Sequence, residues 1–292
     1  MKRLVNEKSK KISVIIPTYN DTHRLRCCLA CLARQTLPQH EFEVLVVNNS
    51  HTPIALEKKC ANVKVLNETK PGSYAARNAG IREAEGYILA FTDSDCQPNS
   101  NWLAAGFRAI QSLEVERIAG AVNVYSESRI KSPTECYEEY FAFNQEANAK
   151  LGCSVTANLF VLATTFSSYG LFDDSALSGE DIRWNDGASR NGSTIAYCKD
   201  AIVLHPARKN FREFLKKRRR VLSGKLRAEP TYKISFFRAL MPPISAIQTV
   251  SRGSNILSRD AMYAVGVAYM LKIFNAVYLA KLRYLGNTGT RS

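Results

Sequence analysis

The stretch Tyr87-Ile88-Leu89-Ala90-Phe91-Thr92-Asp93-Ser94-Asp95 decides how this chain is read. Its apolar first half reads as a short buried strand, and that strand runs into two carboxylates separated by one residue. In a regular strand, residues two apart share a face. Here Ser94 and the following Cys96-Gln97-Pro98-Asn99 predict that the chain is already turning. A bend at this point brings both acids together at the carboxyl edge of a sheet. Hard oxygen ligands gathered there suit Mg²⁺ or Mn²⁺, which in turn suits a diphosphate. The plain alternative is a pair of solvated turn acids, because Asp-x-Asp by itself is common.

Working back from this stretch, Ile12-Ser13-Val14-Ile15-Ile16 is a buried-strand run stopped by Pro17. The polar loop Thr18-Tyr19-Asn20-Asp21 leads to a helix through about Arg34, capped by Asp21 or Thr22. Glu43–Val47 is a second strand ending in Asn48-Asn49-Ser50. A helix is expected after Pro53, then a strand at Val63–Leu66 and a helix from Tyr74 to about Ala84, opened by Gly72-Ser73. Strands and helices alternating with short connections predict an α/β fold, with parallel strands and helices on both faces. Ligands on such sheets bind at the carboxyl ends of the strands. The loops there are Pro17–Asn20, Asn48–Ser50, Glu68–Ser73 and Asp93–Gln97, so the two acids fall on the ligand side.

Working forward, Trp102–Leu113 reads as a helix and Ile118–Tyr125 as a strand. Pro133 to about Lys150 reads as one polar helix whose aromatic stripe, Tyr137, Tyr140, Phe141 and Phe143, is best explained by packing. Thr156–Val161 reads as a strand. Glu180 and Asp181 fall in the first turn of a helix, where acids also complement the helix dipole. Two strands, Thr194–Cys198 and Ala201–Leu204, lead to His205-Pro206. A lone histidine ending a strand is commonly structural.

The chain has 292 residues, 46% of them hydrophobic, which is enough for one large α/β domain with a helical appendage. Its net charge of +14 is unevenly placed. Residues 206–292 hold 18 Lys and Arg against 3 Asp and Glu, while residues 1–205 are close to neutral, with 22 basic and 23 acidic side chains. A basic appendage of this kind faces a membrane surface, nucleic acid or another polyanion. The first residues, Met1–Lys11, are basic without an apolar core, so no secretory signal is visible. The eight cysteines lack a small-scaffold pattern, and reduced thiols in a cytoplasmic protein are expected. Cys28-x-x-Cys31 lacks a second pair at zinc spacing.

Four segments in order resemble the inverting glycosyltransferases of family 2, which have the GT-A fold. The resemblance covers about residues 10–225. Ser13–Asn20 looks like the family's opening strand and loop, which implies nucleotide contacts at Pro17, Tyr19 and Asn20. Pro71-Gly72-Ser73-Tyr74-Ala75-Ala76-Arg77-Asn78-Ala79-Gly80-Ile81 looks like the helix whose arginine, here Arg77, contacts the nucleotide. Phe91–Cys96 looks like the metal-and-diphosphate motif, and Gly179-Glu180-Asp181 like the motif that supplies the catalytic base. The resemblance implies Mn²⁺ or Mg²⁺ on Asp95, with Asp93 on the ribose or the metal and His205 as a further ligand. It also implies a nucleotide-diphosphate sugar as donor, UDP-sugar first, and a single displacement with Asp181 as the base or Glu180 in its place. Asn158 and Trp184 are placed on the acceptor side. One departure is Asn48-Asn49, where relatives commonly carry an Asp that contacts the nucleobase or ribose.

These readings give a GT-A domain over 1–210, Rossmann-like and mostly parallel, and a basic helical region over 211–292. The acceptor expected is a glycan or a lipid-linked sugar. The rival reading is a non-catalytic nucleotide-sugar or polyanion-binding protein; the presence of Asp93, Asp95 and Asp181 together favours the enzyme. Phe211–Val221 is a basic helix, and Arg219 and Arg220 with Gly224 just beyond it resemble the family's diphosphate-holding segment, which ends in Gly. No nucleic-acid recognition module is visible. Ala261–Ala280 is mostly apolar but contains Lys272 and Asn275. A spanning helix needs about twenty apolar residues, and a central lysine costs roughly 2.5–3.5 kcal/mol. Core packing, interfacial binding and spanning all stay open for this stretch; the nearby Lys and Arg with Tyr263, Tyr269, Tyr278 and Tyr284 favour a peripheral helix on the anionic inner face of the membrane.

Overall fold

The structure is a computed structural model of the chain, and it describes residues 10–54, 62–253 and 255–284. It contains two compact units. The first comprises Met1–Asn123, Asn144–Ala176 and Glu180–His205; the second comprises Val124–Phe143, Leu177–Gly179 and the chain from Pro206 onward.

The first half of the chain runs β1 (Ile12–Thr18), α1 (Thr22–Leu32), β2 (Phe42–Asn48), β3 (Val63–Asn67), α2 (Ser73–Glu83), β4 (Ile88–Thr92), β5 (Gln97–Pro98), α3 (Trp102–Leu113) and β6 (Arg117–Tyr125). The second half runs α4 (Pro133–Phe141), α5 (Gln145–Lys150), β7 (Asn158–Leu162), α6 (Ala163–Tyr169), α7 (Glu180–Arg190), β8 (Ile195–Pro206), α8 (Phe211–Ala228), α9 (Phe236–Leu240), α10 (Ile244–Gly253) and α11 (Arg259–Tyr284). The helix expected after Pro53 falls largely on 55–61, outside the described residues.

The strands form one sheet in the order β3-β2-β1-β4-β7-β6-β8-β5. Strands β3, β2, β1 and β4 are parallel, as the alternation of elements predicts. Every residue of β1 and β2 is buried, the mark of strands covered on both faces. The register pairs Thr18 with Asn48 and Ile15 with Phe91, so the first, second and fourth strands end at the same edge. β7 is antiparallel to β4, with Asn158 opposite Thr92. The chain entering β7 is thereby delivered to the edge where β4 leaves.

Two close approaches fix the helices on this sheet. A Cβ at Gly80 of α2 would lie 2.6 Å from the Ile15 side chain, and one at Gly106 of α3 would lie 2.3 Å from the Phe160 ring. An aromatic cluster belongs to the same core as Ile15: Trp184 stacks on Phe166 at 4.3 Å, and both meet Phe172. Trp184 is buried, with its indole N–H on the Gly170 carbonyl. Asn158 is fully buried: its amide donates to the carbonyls of Ala121 and Ala201 and accepts from the Trp102 indole. Both residues are core members rather than the acceptor-side residues the resemblance implied.

Two other expectations differ in detail. The helix expected over 133–150 is broken at Ala142–Asn144, because the Asn144 side chain accepts from Ala147 N–H and starts a new helix. The two strands expected around residue 200 are one continuous strand, β8.

In the second unit, α4 opens on a reciprocal cap between Ser132 and Glu135. The aromatic stripe on α4 packs inward, with Tyr137 against Phe214 and with Tyr140 and Phe141 against Val250, Ala261 and Ala264. α11 buries Ala261, Ala264, Val267, Leu271, Asn275, Ala276, Leu279 and Leu282, and packs on α4, α8, α9 and α10. Among the described residues it is the one helix long and apolar enough to cross a membrane, yet one of its faces is already occupied by protein.

Replacing Asn158 with Ala leaves the Trp102 indole N–H and two main-chain carbonyls without their partner. Each orphaned buried group costs about 1–3 kcal/mol, so the variant should lose about 3 kcal/mol or more of stability. Urea unfolding followed by circular dichroism measures this, and an unchanged midpoint would mean the network is not holding the sheet.

Candidate active site

The two acids are drawn together by a turn. β4 ends at Thr92, and the Cys96 N–H donates to the Asp93 carbonyl at 3.1 Å, closing a tight bend around Ser94. The next two residues, β5, pair antiparallel with Val203 and Leu204 of β8. That short pairing presents the following residue of β8, His205, to the bend. Its Nε2 lies 3.8 Å from Asp95 Oδ2. Ligand atoms of Asp93, Asp95, Cys96 and His205 all lie within 4.8 Å of one another.

The donor set can be tested against a divalent ion. Cys96 is fully buried, and burial, followed by the nearby Asp93 and Asp95 charges, pushes its thiol well up. Sulfur is a soft donor, poorly matched to a hard cation. Two carboxylates and one imidazole remain, a set that fits Mn²⁺ or Mg²⁺. Arg24, which the sequence reading passed over, also lies beside the site, with Nη1 3.9 Å from Asp95 Oδ2.

Helix α2 supplies the rest. Arg77 is buried and pairs with Asp93, while its Nε has no hydrogen-bond partner among the described residues. One turn earlier, the Tyr74 hydroxyl donates to Asp181 Oδ1 at 3.1 Å and accepts from the Glu180 N–H. Burial and the Asp181 charge raise the Tyr74 hydroxyl's pKa, so it stays a donor. Asn78 exchanges two hydrogen bonds with the Phe172 backbone. Residues three and four apart on a helix share a face, so this one helix joins the paired acids to the start of α7.

At the start of α7 the two acids differ in environment. Glu180 is buried, accepts from the Asp173 N–H and pairs with Arg183 at 2.7 Å. Burial raises its pKa; the bonds to Asp173 and Arg183 oppose that shift. Asp181 is half-buried, and its carboxylate accepts from Tyr74, from its neighbour Ile182 N–H and from Thr156 N–H at 3.2 Å. Thr156 reaches it because β7 begins at this edge. Neither Tyr74 nor Thr156 was singled out from sequence; the only signal was Tyr74's helical spacing from Arg77.

The remaining nucleotide-side candidates lie on the same edge. Pro17 is buried at the end of β1, the Tyr19 ring is 68% exposed, and Asn20 adopts a left-handed conformation at φ 53°. The Asn48-Asn49 pair has a visible structural use. The Asn48 amide donates to the Thr52 carbonyl and the Asn67 side chain, and Asn48 accepts twice from Ser50. Asn49 donates to the carbonyls of Glu68 and Lys70 and accepts from the Gly72 N–H at the start of α2. A carboxylate could not make those donations. Arg219 and Arg220 lie on α8 of the second unit, with Arg219 5.9 Å from the Phe274 and Tyr278 ring centres.

Comparison with known proteins bears on the family and the fold. The sequence model described as glycosyl transferase family 2 matches residues 13–163. Glycosyltransferase AglE of Haloferax volcanii is 35% identical over 235 residues, covering 78% of this chain and 77% of that one. The dolichyl N-acetyl-alpha-D-glucosaminyl phosphate 3-beta-D-2,3-diacetamido-2,3-dideoxy-beta-D-glucuronosyltransferase of Methanococcus voltae is 22% identical, covering 70% of each chain. Among solved structures, the mannosyltransferase PcManGT of Pyrobaculum calidifontis, in complex with GDP-Man and Mn²⁺, superimposes with a TM-score of 0.59 at 17% identity, over 96% of this chain and 89% of that one. The chain belongs to glycosyl transferase family 2 and has the GT-A fold. It is a glycosyltransferase of glycan synthesis, and the non-catalytic alternative finds no support among these relatives.

Changing Asn49 to Asp removes both donations and sets a charge against two carbonyls. The loop before α2 should loosen, with a loss of about 2 kcal/mol. Thermal unfolding checks this; an unchanged melting temperature would mean that other contacts hold the loop.

Proposed function

We propose that the protein transfers a sugar from a nucleoside diphosphate donor to an acceptor hydroxyl, in one displacement that inverts the anomeric carbon. The observation that carries this reading is the single helix α2 joining Asp93 to Asp181, through Arg77 and Tyr74. Asp93, Asp95 and His205 would hold Mn²⁺ or Mg²⁺, which supplies Lewis-acid neutralisation of the leaving diphosphate.

The chain's own residues do the rest. Arg77 holds Asp93 in place and sets a buried positive charge beside the diphosphate. Pro17, Tyr19 and Asn20 contact the nucleotide, and Asn48 acts on it through the loop it braces. Asp181 takes the proton of the acceptor hydroxyl. Three donors at the start of α7 hold its carboxylate aimed. Glu180 is buried and tied to Asp173 and Arg183, whereas Asp181 is partly exposed, which favours Asp181 as the base.

UDP-sugar is the first donor to test, with GDP-mannose second because the solved neighbour carries it. A lipid-linked or surface glycan is the acceptor, and the basic second unit brings the enzyme to the inner face of the membrane.

Thermal stability against UDP-, GDP- and dTDP-sugars, each with Mn²⁺, Mg²⁺ or chelator, tests the donor side. Ligand at 100 times its dissociation constant stabilises a fold by about 2.7 kcal/mol. A metal-dependent shift for one nucleotide, abolished in Asp95→Asn, is the expected result; a shift that survives chelation would overturn the metal assignment. On the catalytic side, Asp181→Asn should keep donor affinity and lose transfer by about 10²-fold or more. Turnover matching wild type would remove Asp181 from the chemistry.

A further inference from the structure

Helices α9 and α10 of the second unit are built the wrong way round for a surface in water. Their buried residues are small or slender: Ala239 in α9, and Ala246 and Val250 in α10. Their large apolar side chains point out. Phe237 is 76% exposed and Phe236 56%, and Leu240, Met241, Ile244 and Ile247 are exposed with them. These six lie within twelve residues of sequence, so the patch is continuous along the chain rather than scattered.

The patch is held firmly. Between the two helices the chain turns at Met241-Pro242-Pro243. From α11, the Tyr269 hydroxyl donates to the Leu240 carbonyl at 2.8 Å, and Lys272 Nζ donates to the Met241 carbonyl at 2.7 Å. The lysine that interrupts the apolar run of α11 is therefore a clamp on this turn. The sequence that carries the patch is basic: between Glu229 and Asp260 it holds Lys233, Arg238, Arg252 and Arg259 and no acid, and of these Arg259 pairs with a bounding acid, Asp260.

We infer that this outward face of α9 and α10 is the surface through which the protein docks on an anionic phospholipid bilayer, with Phe236 and Phe237 entering the interface. The inference rests on the reading of a membrane-facing second unit and assigns that contact to one face. Exposed aromatic and aliphatic side chains on a basic segment suit the boundary between headgroups and acyl chains. A second copy of the chain fits less well, because 206–292 carries 18 basic and 3 acidic residues and would meet its own charge.

The test is sedimentation of the full chain with vesicles of phosphatidylcholine alone or with 30% phosphatidylglycerol, for wild type and the double variant Phe236→Ser, Phe237→Ser. Leu151→Ser removes another exposed apolar residue, on the first unit, and serves as control. Wild type and control should bind the anionic vesicles, and the double variant should bind at least tenfold more weakly. Equal binding by the double variant would overturn this face and leave the membrane reading standing. No binding by wild type would overturn both. Equal binding to both vesicle types would overturn the anionic preference. Should the double variant fold poorly, hydrogen exchange of wild type with and without vesicles decides the matter. Protection across 236–247 is expected, and its absence would overturn the inference. A wild-type dimer that the double variant abolishes would make the face a self-interface instead.

Discussion

The site depends on one constraint: helix α2 must meet two separate parts of the chain at once. Arg77 reaches Asp93, Tyr74 reaches Asp181, and Asn78 ties down the backbone at Phe172. These contacts span long stretches of sequence, and only a helix packed closely on the sheet could make all three. That packing is what Gly80 permits against Ile15. The geometry of the acids is therefore inherited from the core, and the loops that carry them are braced from behind.

The same economy runs through the strand edge. The pairing of β5 with β8 is two residues long, yet it sets His205 beside Asp95. The reversal of β7 relative to β4 brings Thr156 N–H to the Asp181 carboxylate. Asn48 and Asn49 knit the neighbouring loops with neutral amides, leaving the edge free of a further negative charge where a polyanion would enter.

Much of this was legible in the chain itself. The parallel half of the sheet was readable because fully buried strands are unbroken apolar runs, as Ile12–Ile16 and Val44–Val47 are. The paired acids were readable because charge follows directly on such a run. What was not legible depends on partners distant in sequence. Asn158 looks like a polar residue free to meet an acceptor, until Trp102, Ala121 and Ala201 claim its amide. Trp184 looks like an acceptor-side residue, until Phe166 stacks on it. Lys272 reads as a flaw in an apolar helix, and its use appears only with the turn it clamps. The break in the helix at Ala142–Asn144 was missed because polar helical periodicity continues across it, while the Asn144 cap acts locally.

The placement of the two tryptophans gives the molecule an optical label of its own. Trp102 and Trp184 are the only ones in the chain, and both belong to the first unit. Indole emission therefore reports that unit alone, while the second unit, with its tyrosines, stays dark to red-edge excitation. Trp184 sits three residues after Asp181 on the same helix, pressed against Phe166. Part of the unit's indole emission therefore comes from the helix that carries Asp181, and it is read without a dye or a tag.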